Sequence, residues 1–296
     1  MIKTLIIGGS GYLGRHLSNV LSKNNNEVYI TSRFVSENDN CFVFDLEDIN
    51  CFRNIDFNSF DRILMLVSSM AGIQSKTLDG NTFEINCIAY KNFLNYLVEI
   101  DYSNQFVYVS SMTVYSVKNE SPVGENGNTE LPPNPYGLSK LFAEKITKYY
   151  SRENKFNSAI IRIPGLFGGD RKSGFIYNAI DKISKNLDFF ISTKNLKYWE
   201  TISVLDVSHM IEIFLNKYNW EQDCEVYNIC YGKETDIIEL AYFIKEYFNS
   251  TSNITSTSPK GYKPFYLSNE KYLNLTNNYP NNFKDSLVTY INTVIE

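Results

Sequence analysis

The 296-residue chain lacks the features that mark several protein classes. Basic residues are not in excess: 28 Lys and Arg stand against 33 Asp and Glu, for a formal net charge of -5. Nucleic-acid binding needs clustered cations to neutralise phosphates, so this balance argues against a nucleic-acid partner but allows a basic pocket for a small anion. No apolar run is long enough to span a bilayer, which predicts a protein that does not enter membranes.

The sequence contains few cysteines and histidines, and their spacing is not that of a metal site. The number of cysteines is odd, and no two have the short spacing of a metal knuckle, so we expect free thiols and no metal site. Reduced thiols are typical of the cytosol, and the first apolar strand leaves no room for a signal peptide before it, which favours a soluble cytoplasmic protein. The five cysteines are Cys41, Cys51, Cys87, Cys224 and Cys230.

Short apolar runs alternate with helical segments in the first half of the chain. Runs of this length, without polar alternation, are typical of strands that are buried on both faces of a parallel sheet. Between two of them, apolar residues recur every three or four positions from Phe83 to Leu97, which predicts one helix. The pattern predicts an α/β fold with a doubly wound parallel sheet. The predicted strands are Thr4–Ile7, Val28–Thr31, Phe42–Phe44, Ile63–Val67, Phe106–Val109 and Ala159–Ile163.

A glycine-rich turn, Gly8 to Gly14, joins the first strand to the first helix. Gly8 can make the tight turn, Gly11 lets the backbone approach a diphosphate, and Gly14 lets helix and strand pack closely. The helix N-terminus then offers free N–H groups to the phosphates. Because the turn has this strand-to-helix context, it predicts a Rossmann dinucleotide site, with Tyr12 and Leu13 also at the cofactor.

The end of the second strand indicates which dinucleotide is bound. NAD-binding sites usually place an acid there for the ribose 2'-hydroxyl, but this chain has Thr31-Ser32-Arg33. Ser32 and Arg33 favour the 2'-phosphate of NADP(H), with NAD as the alternative, unless Arg33 is only a solvated loop residue. Asp45, followed by Leu46, is placed to accept a hydrogen bond from the adenine amino group or to cap the next helix.

Beyond Gly165 the pattern loosens into stretches rich in Gly, Lys and Asn. We therefore predict a nucleotide-binding domain formed by residues 1–165 and about 202–230. The remainder, about 166–201 and 231–296, is predicted to form a smaller substrate-binding lobe. The Asn- and Ser-rich segment Asn249–Ser258 is predicted to be a loop.

Tyr136 and Lys140 lie about one turn apart at the start of a predicted helix, so they share one face. An ammonium close to a phenol favours the phenolate, so we expect Lys140 to lower the pKa of Tyr136. Tyr136 would then serve as a proton donor or acceptor, and Lys140 would also hold the nicotinamide ribose. Ser111 ends the fifth strand, where its hydroxyl would point into the same cleft and orient a substrate oxygen.

With these residues in this order, the chain resembles an extended short-chain dehydrogenase/reductase of the NAD-dependent epimerase/dehydratase type. The family's catalytic Ser or Thr falls on Ser111, not Ser110, and Pro164 falls beside the nicotinamide carboxamide. The resemblance implies a nucleotide-sugar substrate and a homodimer. It rests on the glycine turn, Asp45-Leu46, Asn86, Ser110 to Tyr115, Tyr136 to Lys140, Arg162 to Gly168, Val204 to Val207 and Tyr227 to Ile229.

The residues after Ser111 reduce the number of reactions that the family resemblance allows. Sugar dehydratases of this family carry an Asp-Glu pair there, but this chain has Met112 and Thr113, which argues against dehydration, and the resemblance implies that both residues face the sugar. Reduction of a keto-sugar nucleotide with NADPH and epimerisation with tightly held NAD remain, and Arg33 favours reduction. A third alternative is a protein without catalytic activity that senses the NADP redox state, although such a protein would not need Tyr136 and Lys140.

One departure from the family concerns the substrate. The Arg that contacts the diphosphate of the sugar nucleotide in relatives falls on Trp199. Arg171, Lys172 or Lys197 would supply the positive charge instead, or Trp199 packs in the core, or the substrate is not a nucleotide sugar.

Overall fold

Seven parallel strands form the central sheet of the molecule, in the order β10-β6-β5-β4-β1-β2-β3. The computed structural model describes residues 1–24, 26–71, 80–154, 156–192, 200–257 and 265–295. The strands are β1 Ile2–Ile7, β2 Asn26–Ser32, β3 Cys41–Val43, β4 Arg62–Met65, β5 Gln105–Ser111, β6 Ser158–Ile163, β7 Gly165–Phe167, β8 Phe189–Ile191, β9 Thr201–Ser203, β10 Glu225–Asn228 and β11 Ile254–Ser256.

Helices cover both faces of this sheet, as expected for parallel strands that are apolar on both sides. One face carries α1 and α7, and the other carries α2, α4 and α5. The α-helices are α1 Tyr12–Ser22, α2 Ile49–Phe52, α3 Gly80–Phe83, α4 Tyr90–Glu99, α5 Pro135–Asn154, α6 Phe175–Ser184, α7 Val204–Lys217, α8 Ile237–Tyr247, α9 Glu270–Thr276 and α10 Phe283–Ile295.

The strand order confirms the predicted doubly wound α/β fold. The chain moves from β1 outward through β2 and β3, then returns to β4 on the other side of β1 and continues outward through β5, β6 and β10. The order therefore reverses between β1 and β4. Helices leave the carboxyl ends of these two strands in opposite directions, which opens a crevice there, and parallel sheets bind ligands at such a crevice.

The segment before β5 is not one regular helix. Residues Glu84–Ala89 form a π-helix between α3 and α4. A π-turn inserts one extra residue and frequently marks a functional site. Asn86 and Cys87 are buried inside this turn, so the apolar stripe predicted from Phe83 to Leu97 changes its register at Asn86.

Helices α6, α8, α9 and α10 and two short parallel strand pairs, β7 with β9 and β8 with β11, lie outside the central sheet. The prediction of a loop over Asn249–Ser258 is wrong in part, because Ile254–Ser256 forms β11 against β8. β-branched Ile254 and Thr255 favour that extended backbone. These helices and one face of the sheet share a single apolar cluster, in which Ile180 and Leu240 pack with sheet and α7 residues.

Buried Asp206 at the start of α7 forms hydrogen bonds that connect α7 to the start of α10. Its carboxylate accepts hydrogen bonds from Tyr231 at 2.5 Å, Asn281 at 2.7 Å and Ser286 at 2.5 Å. A buried carboxylate with three donors is well compensated, and this network gives Asp206 a structural role.

All five cysteines are free thiols. In the described part of the chain, no group of His, Cys, Asp or Glu side chains could hold a metal ion. None of the helices within those ranges is both long and apolar enough to cross a membrane.

Candidate active site

The glycine turn between β1 and α1 packs so tightly that it admits no side chain at Gly14. A Cβ there would lie 2.5 Å from the Gly8 carbonyl oxygen and 2.6 Å from the Gly9 Cα. Gly8 itself has a positive φ of 86°, which favours glycine. Gly11 caps α1 without any side-chain hydrogen bond, so the first N–H groups of the helix are available to an anion.

A cleft of about 620 Å³ opens at this turn, between the carboxyl ends of β1, β2, β3 and β4; we call it the glycine-turn cleft. An open helix N-terminus, glycine backbone and neighbouring polar loops are the features that a dinucleotide phosphate group requires, so the residues present fit this cofactor. The cleft is lined by Gly8, Ser10, Gly11, Thr31, Ser32, Arg33, Phe34, Phe44, Asp45, Leu46, Glu47, Leu66, Val67, Ser68, Ser69, Asn81 and Ile85.

Of the predicted cofactor residues, Ser32, Arg33, Asp45 and Leu46 lie in this lining. Arg33 is exposed. The Asp45 carboxylate accepts the Glu47 N–H at 3.0 Å, whereas Asp48 caps α2. Asp45 therefore does not cap the helix, and its second carboxylate oxygen remains for a ligand.

Three other predicted cofactor residues are outside this lining. Tyr12 donates its hydroxyl to the Gly168 carbonyl at 2.7 Å, which ties α1 to the segment after β7. Leu13 packs against the core next to Gly14. Pro164 is buried directly after β6.

Tyr136 lies in the first turn of α5, buried with 8% of its surface exposed. Burial raises the pKa of Tyr136, and the neighbouring hydroxyls of Ser111 and Ser68 oppose the rise. The structure thus brings Tyr136 and Ser111 together, as predicted, and adds Ser68 from the segment after β4.

Lys140 follows one turn later on the same helix and is 2% exposed. Its ammonium donates to the Val109 carbonyl at 2.7 Å and lies 4.1 Å from the ring centroid of Tyr108. Burial lowers the pKa of Lys140 to about 7, although the carboxylate of Glu144 raises it. The expectation that Lys140 lowers the pKa of Tyr136 is wrong here, because burial dominates at the phenol and Lys140 bonds to β5.

Ser110 and Ser111 have different neighbours in the structure. Buried Ser110 donates to the Glu144 carboxylate at 2.5 Å. Glu144 also forms a bidentate ion pair with Arg162, at 2.9 and 2.6 Å. Ser110 therefore helps to hold α5 against the sheet, whereas Ser111 lies near the Tyr136 phenol.

The two residues after Ser111 adopt a short 3-10 turn, Met112–Val114. The Thr113 hydroxyl donates to the Ser111 hydroxyl oxygen at 3.0 Å. Met112 is 4% exposed and packs with Cys230, Phe265 and Leu267. Thr113 is thus adjacent to the tyrosine site, and Met112 forms part of an apolar cluster beside it.

Arg171, one candidate for the charge that meets the substrate diphosphate, lies over the ring of Tyr12, with its guanidinium 5.5 Å from the ring centroid. It donates to the Leu166 carbonyl at 3.0 Å. Arg171 is therefore placed beside the glycine turn. Lys172 is exposed. Trp199 and Lys197 lie outside the described residues.

Sequence reasoning missed Ser68 and did not place Asn86 in the site. Asn86 is 3% exposed and bonds to both Ser68 and Ser139. The only signal for Ser68 was its position just after β4, because the carboxyl ends of parallel strands meet at one edge of the sheet. Ser-Ser after a strand is too common a pattern to identify a site.

Comparison with known proteins identifies the family of this chain. The sequence model of the NAD dependent epimerase/dehydratase family matches residues 4–230. This range includes the glycine turn, Ser111, Tyr136 and Lys140.

Individual relatives differ in the reaction that their names describe. The chain is 29% identical over 255 residues to a putative UDP-glucose 4-epimerase from Methanocaldococcus jannaschii, covering 81% of each chain. It is 27% identical over 169 residues to GDP-6-deoxy-D-mannose reductase from Pseudomonas aeruginosa, covering 54% of each. The solved structure of RMD from Pseudomonas aeruginosa with NADPH has a TM-score of 0.82 at 21% identity, covering 99% of this chain and 100% of that one, which shows the fold.

The pKa of Lys140 yields a test in protein without added cofactor. The unfolded chain holds the Lys140 proton up to about pH 10.5 and the folded chain only up to about pH 7. Between these values the unfolded state binds more protons, so raising the pH favours folding. We expect the free energy of unfolding of wild type, relative to Lys140→Met, to rise by up to about 1.4 kcal/mol per pH unit in that window. Denaturant titrations from pH 6 to 9.5 measure this difference.

Lys145→Met is the matched control, since Lys145 is exposed on the same helix. A difference between wild type and Lys140→Met that stays flat with pH would contradict the effect of burial on Lys140.

Proposed function

The chain belongs to the NAD-dependent epimerase/dehydratase family, an NAD(P)-binding enzyme family, and we propose that it reduces a keto group on a nucleotide-diphosphate (6-deoxy) sugar with NADPH. The similarity to GDP-6-deoxy-D-mannose reductase supports the substrate class and the direction of reaction.

The composition of the glycine-turn cleft carries this proposal. At the end of β2 the cleft is lined by Ser32 and Arg33, without an acid. The Thr31 hydroxyl oxygen accepts the Gly8 N–H at 2.9 Å and the Ser32 oxygen accepts the Phe34 N–H at 3.1 Å, which leaves the Ser32 O–H and the Arg33 guanidinium for the adenosine ribose. Arg33 can bind a 2'-phosphate with two charge-assisted hydrogen bonds. A preference for NADPH favours a reductase, which exchanges its cofactor in each turnover, over an epimerase, which retains its NAD.

When bound, NADPH supplies the hydride for the sugar carbon. Tyr136 transfers its phenolic proton to the oxygen of the reduced carbonyl, which breaks the Tyr136 O–H bond, forms the sugar hydroxyl and leaves a phenolate. Ser111 donates a hydrogen bond to the same oxygen while its negative charge develops. Lys140 retains two N–H bonds beyond the one to Val109, and these suit the ribose hydroxyls of the cofactor.

Two observations remove other reactions from consideration. Met112 and Thr113 provide no carboxylate after Ser111, so the site lacks the acid-base pair of a sugar dehydratase. The Ser111 hydroxyl beside the Tyr136 phenol forms a proton-transfer group that a redox sensor would not need.

A nucleotide-sugar epimerase that uses NAD is the second candidate. It is favoured by the relative from Methanocaldococcus jannaschii, whose match spans 81% of the chain. The same Ser111, Tyr136 and Lys140 would serve this reaction, with Tyr136 first removing a proton from the sugar and later returning it. The two candidates differ in whether the cofactor leaves the protein.

The function test is to oxidise NADPH with nucleotide-diphosphate 4-keto-6-deoxy sugars and follow its absorbance. We expect turnover in wild type and, in Tyr136→Phe, a loss of about 100-fold or more in kcat because the proton donor is absent. The dissociation constant for NADPH should be unchanged in that variant. The cofactor released from the purified, denatured protein is then identified. One NAD per chain would contradict the reductase and support the epimerase instead.

Cofactor choice is tested by Arg33→Ala. Loss of charge-assisted hydrogen bonds to the 2'-phosphate should weaken NADPH binding by about tenfold or more and leave NADH binding nearly unchanged. Fluorescence titration of both cofactors measures the two affinities. Arg53→Ala, at an exposed arginine outside the cleft lining, is the matched control. An equal loss for NADPH and NADH would exclude a 2'-phosphate contact.

We also propose that the protein is a homodimer that pairs through the helices before and after β5. Ile88, Phe142 and Tyr149 are 45%, 49% and 56% exposed, and Phe142 and Tyr149 lie two turns apart on one face of α5. Light scattering should give twice the chain mass, and Phe142→Glu should give the monomer mass. Phe190→Glu, on the smaller lobe, is the control, and a monomeric wild type would contradict the proposal.

A further inference from the structure

The thiol of Cys51 is hydrogen-bonded to the turn that follows β3. Asp45 is half-buried at the start of this turn and lines the glycine-turn cleft together with Leu46 and Glu47. Cys51 is the third residue of α2 and does not line the cleft itself. Its sulfur contacts both backbone groups of Asp45: the Asp45 N–H donates to Sγ at 3.3 Å, and Sγ lies 3.0 Å from the Asp45 carbonyl oxygen.

The same thiol donates as well as accepts. A thiol carries one proton on a sulfur that can also accept a hydrogen bond. Its two acceptors are the Asp45 carbonyl at 3.0 Å and the Asp48 carbonyl at 2.9 Å. Burial raises the pKa of the Cys51 thiol, so the proton is retained near neutral pH. One side chain therefore bonds to the N–H and the C=O of Asp45 and to the residue that caps α2.

The next residue of α2 holds the same turn through its ring. Phe52 is fully buried and stacks on Phe44, with the two ring centroids 5.3 Å apart. Phe44 immediately precedes Asp45, and its N–H donates to the Ser32 carbonyl at the end of β2, at 2.8 Å. Residues 44 and 45 are therefore both fixed by contacts with α2.

This support leaves one oxygen of the Asp45 carboxylate for a ligand in the cleft. The other oxygen accepts the Glu47 N–H at 3.0 Å. An ionised carboxylate only accepts, so the remaining oxygen suits a ligand that donates. If the glycine turn binds the phosphates and the end of β2 binds the adenosine ribose, the base reaches the next strand end, beside Asp45. The donor that adenine carries there is its exocyclic amino group.

We propose that Cys51 is a positioning residue for cofactor recognition, whose thiol fixes the Asp45 backbone so that the carboxylate meets the adenine amino group. The inference rests on the proposed cofactor site and not on the keto-sugar reaction. A polar contact in a binding site keeps its geometry only if the residues behind it are held in place. Without the thiol, the Asp45 carbonyl keeps the Asp48 N–H at 3.1 Å, but the Asp45 N–H loses the sulfur and the turn shifts.

The test compares NADPH with its hypoxanthine analogue, in which a carbonyl replaces the adenine amino group. Asp45 can accept from the amino group but not from the carbonyl, so wild type should bind NADPH more tightly than the analogue. We expect Cys51→Ala to weaken NADPH binding by about fivefold, as for one lost hydrogen bond, and to leave the affinity for the analogue nearly unchanged. Fluorescence titration of the two reduced cofactors measures this preference.

Two outcomes of this titration would overturn the inference. A wild type without any preference for NADPH would mean that Asp45 does not meet the amino group. An equal loss of both affinities in Cys51→Ala would mean that the thiol only supports the fold, because a purely structural role does not distinguish the two ligands. The same comparison with NADH and its hypoxanthine analogue should give the same change, since these cofactors also carry the base.

Three further variants separate hydrogen bonding from packing. Cys51→Ser retains a donor and an acceptor and should recover most of the preference. Cys51→Val fills the space without either group and should behave like Cys51→Ala, so a wild-type preference in this variant would contradict the role of the thiol. Cys224→Ala is the matched control, because Cys224 is also a half-buried free thiol but precedes β10, at the opposite edge of the sheet.

A double variant tests whether Cys51 acts through Asp45. In an Asp45→Ala background the preference for NADPH should already be lost, and Cys51→Ala should change it no further. A second fivefold loss of NADPH affinity there would overturn the inference. A wild type that prefers NADPH over its analogue but reduces no keto-sugar nucleotide contradicts the proposed function alone.

Discussion

The buried ion pair between Glu144 on α5 and Arg162 on β6 is the interaction on which the site depends. Its two hydrogen bonds, at 2.9 and 2.6 Å, are joined by one from Ser110 on β5 and by one from Arg162 to the Glu125 carbonyl at 3.1 Å. Strands β5 and β6, helix α5 and the loop at Glu125 are therefore all connected through the Glu144 carboxylate and the Arg162 guanidinium. Removal of either partner would leave a buried charge uncompensated, at a cost of about 3–5 kcal/mol.

The same helix carries Tyr136 and Lys140, so the ion pair also sets the position of the reacting groups. Glu144 lies one turn beyond Lys140 and raises its pKa, but burial has the larger effect and lowers that pKa to about 7. Near neutral pH, Lys140 therefore changes its charge easily when a cofactor alters its surroundings. A second buried acid is Glu200: burial raises its pKa well above the usual range, and it accepts the Leu267 N–H at 2.9 Å. Glu200 thus links β9 to the chain at 265–267.

Much of the fold could be predicted from the sequence, because apolar strands and a glycine turn are local signals. The six predicted strands lie in the sheet, with shifts of one or two residues at their ends, and Ser111 rather than Ser110 meets Tyr136. The predictions that were wrong concern features that depend on contacts between distant segments. The π-helix arises where Asn86 meets Ser69 and Ser139, and the pKa of Tyr136 reflects its burial by the whole site. A pattern of spacing along one element contains neither kind of information.

The π-helix also limits how this protein can vary. The wide turn at Glu84–Ala89 holds one residue more than an α-helical path between α3 and α4 would need. Loss of a single residue there would restore regular winding and swing Asn86 by about 100° around the helix axis, away from both Ser69 and Ser139. Exposed Glu84 and Ile88 can change their side chains without moving the amide. In this segment the number of residues is therefore constrained more tightly than their identity, and an alignment gap would be more informative than a substitution.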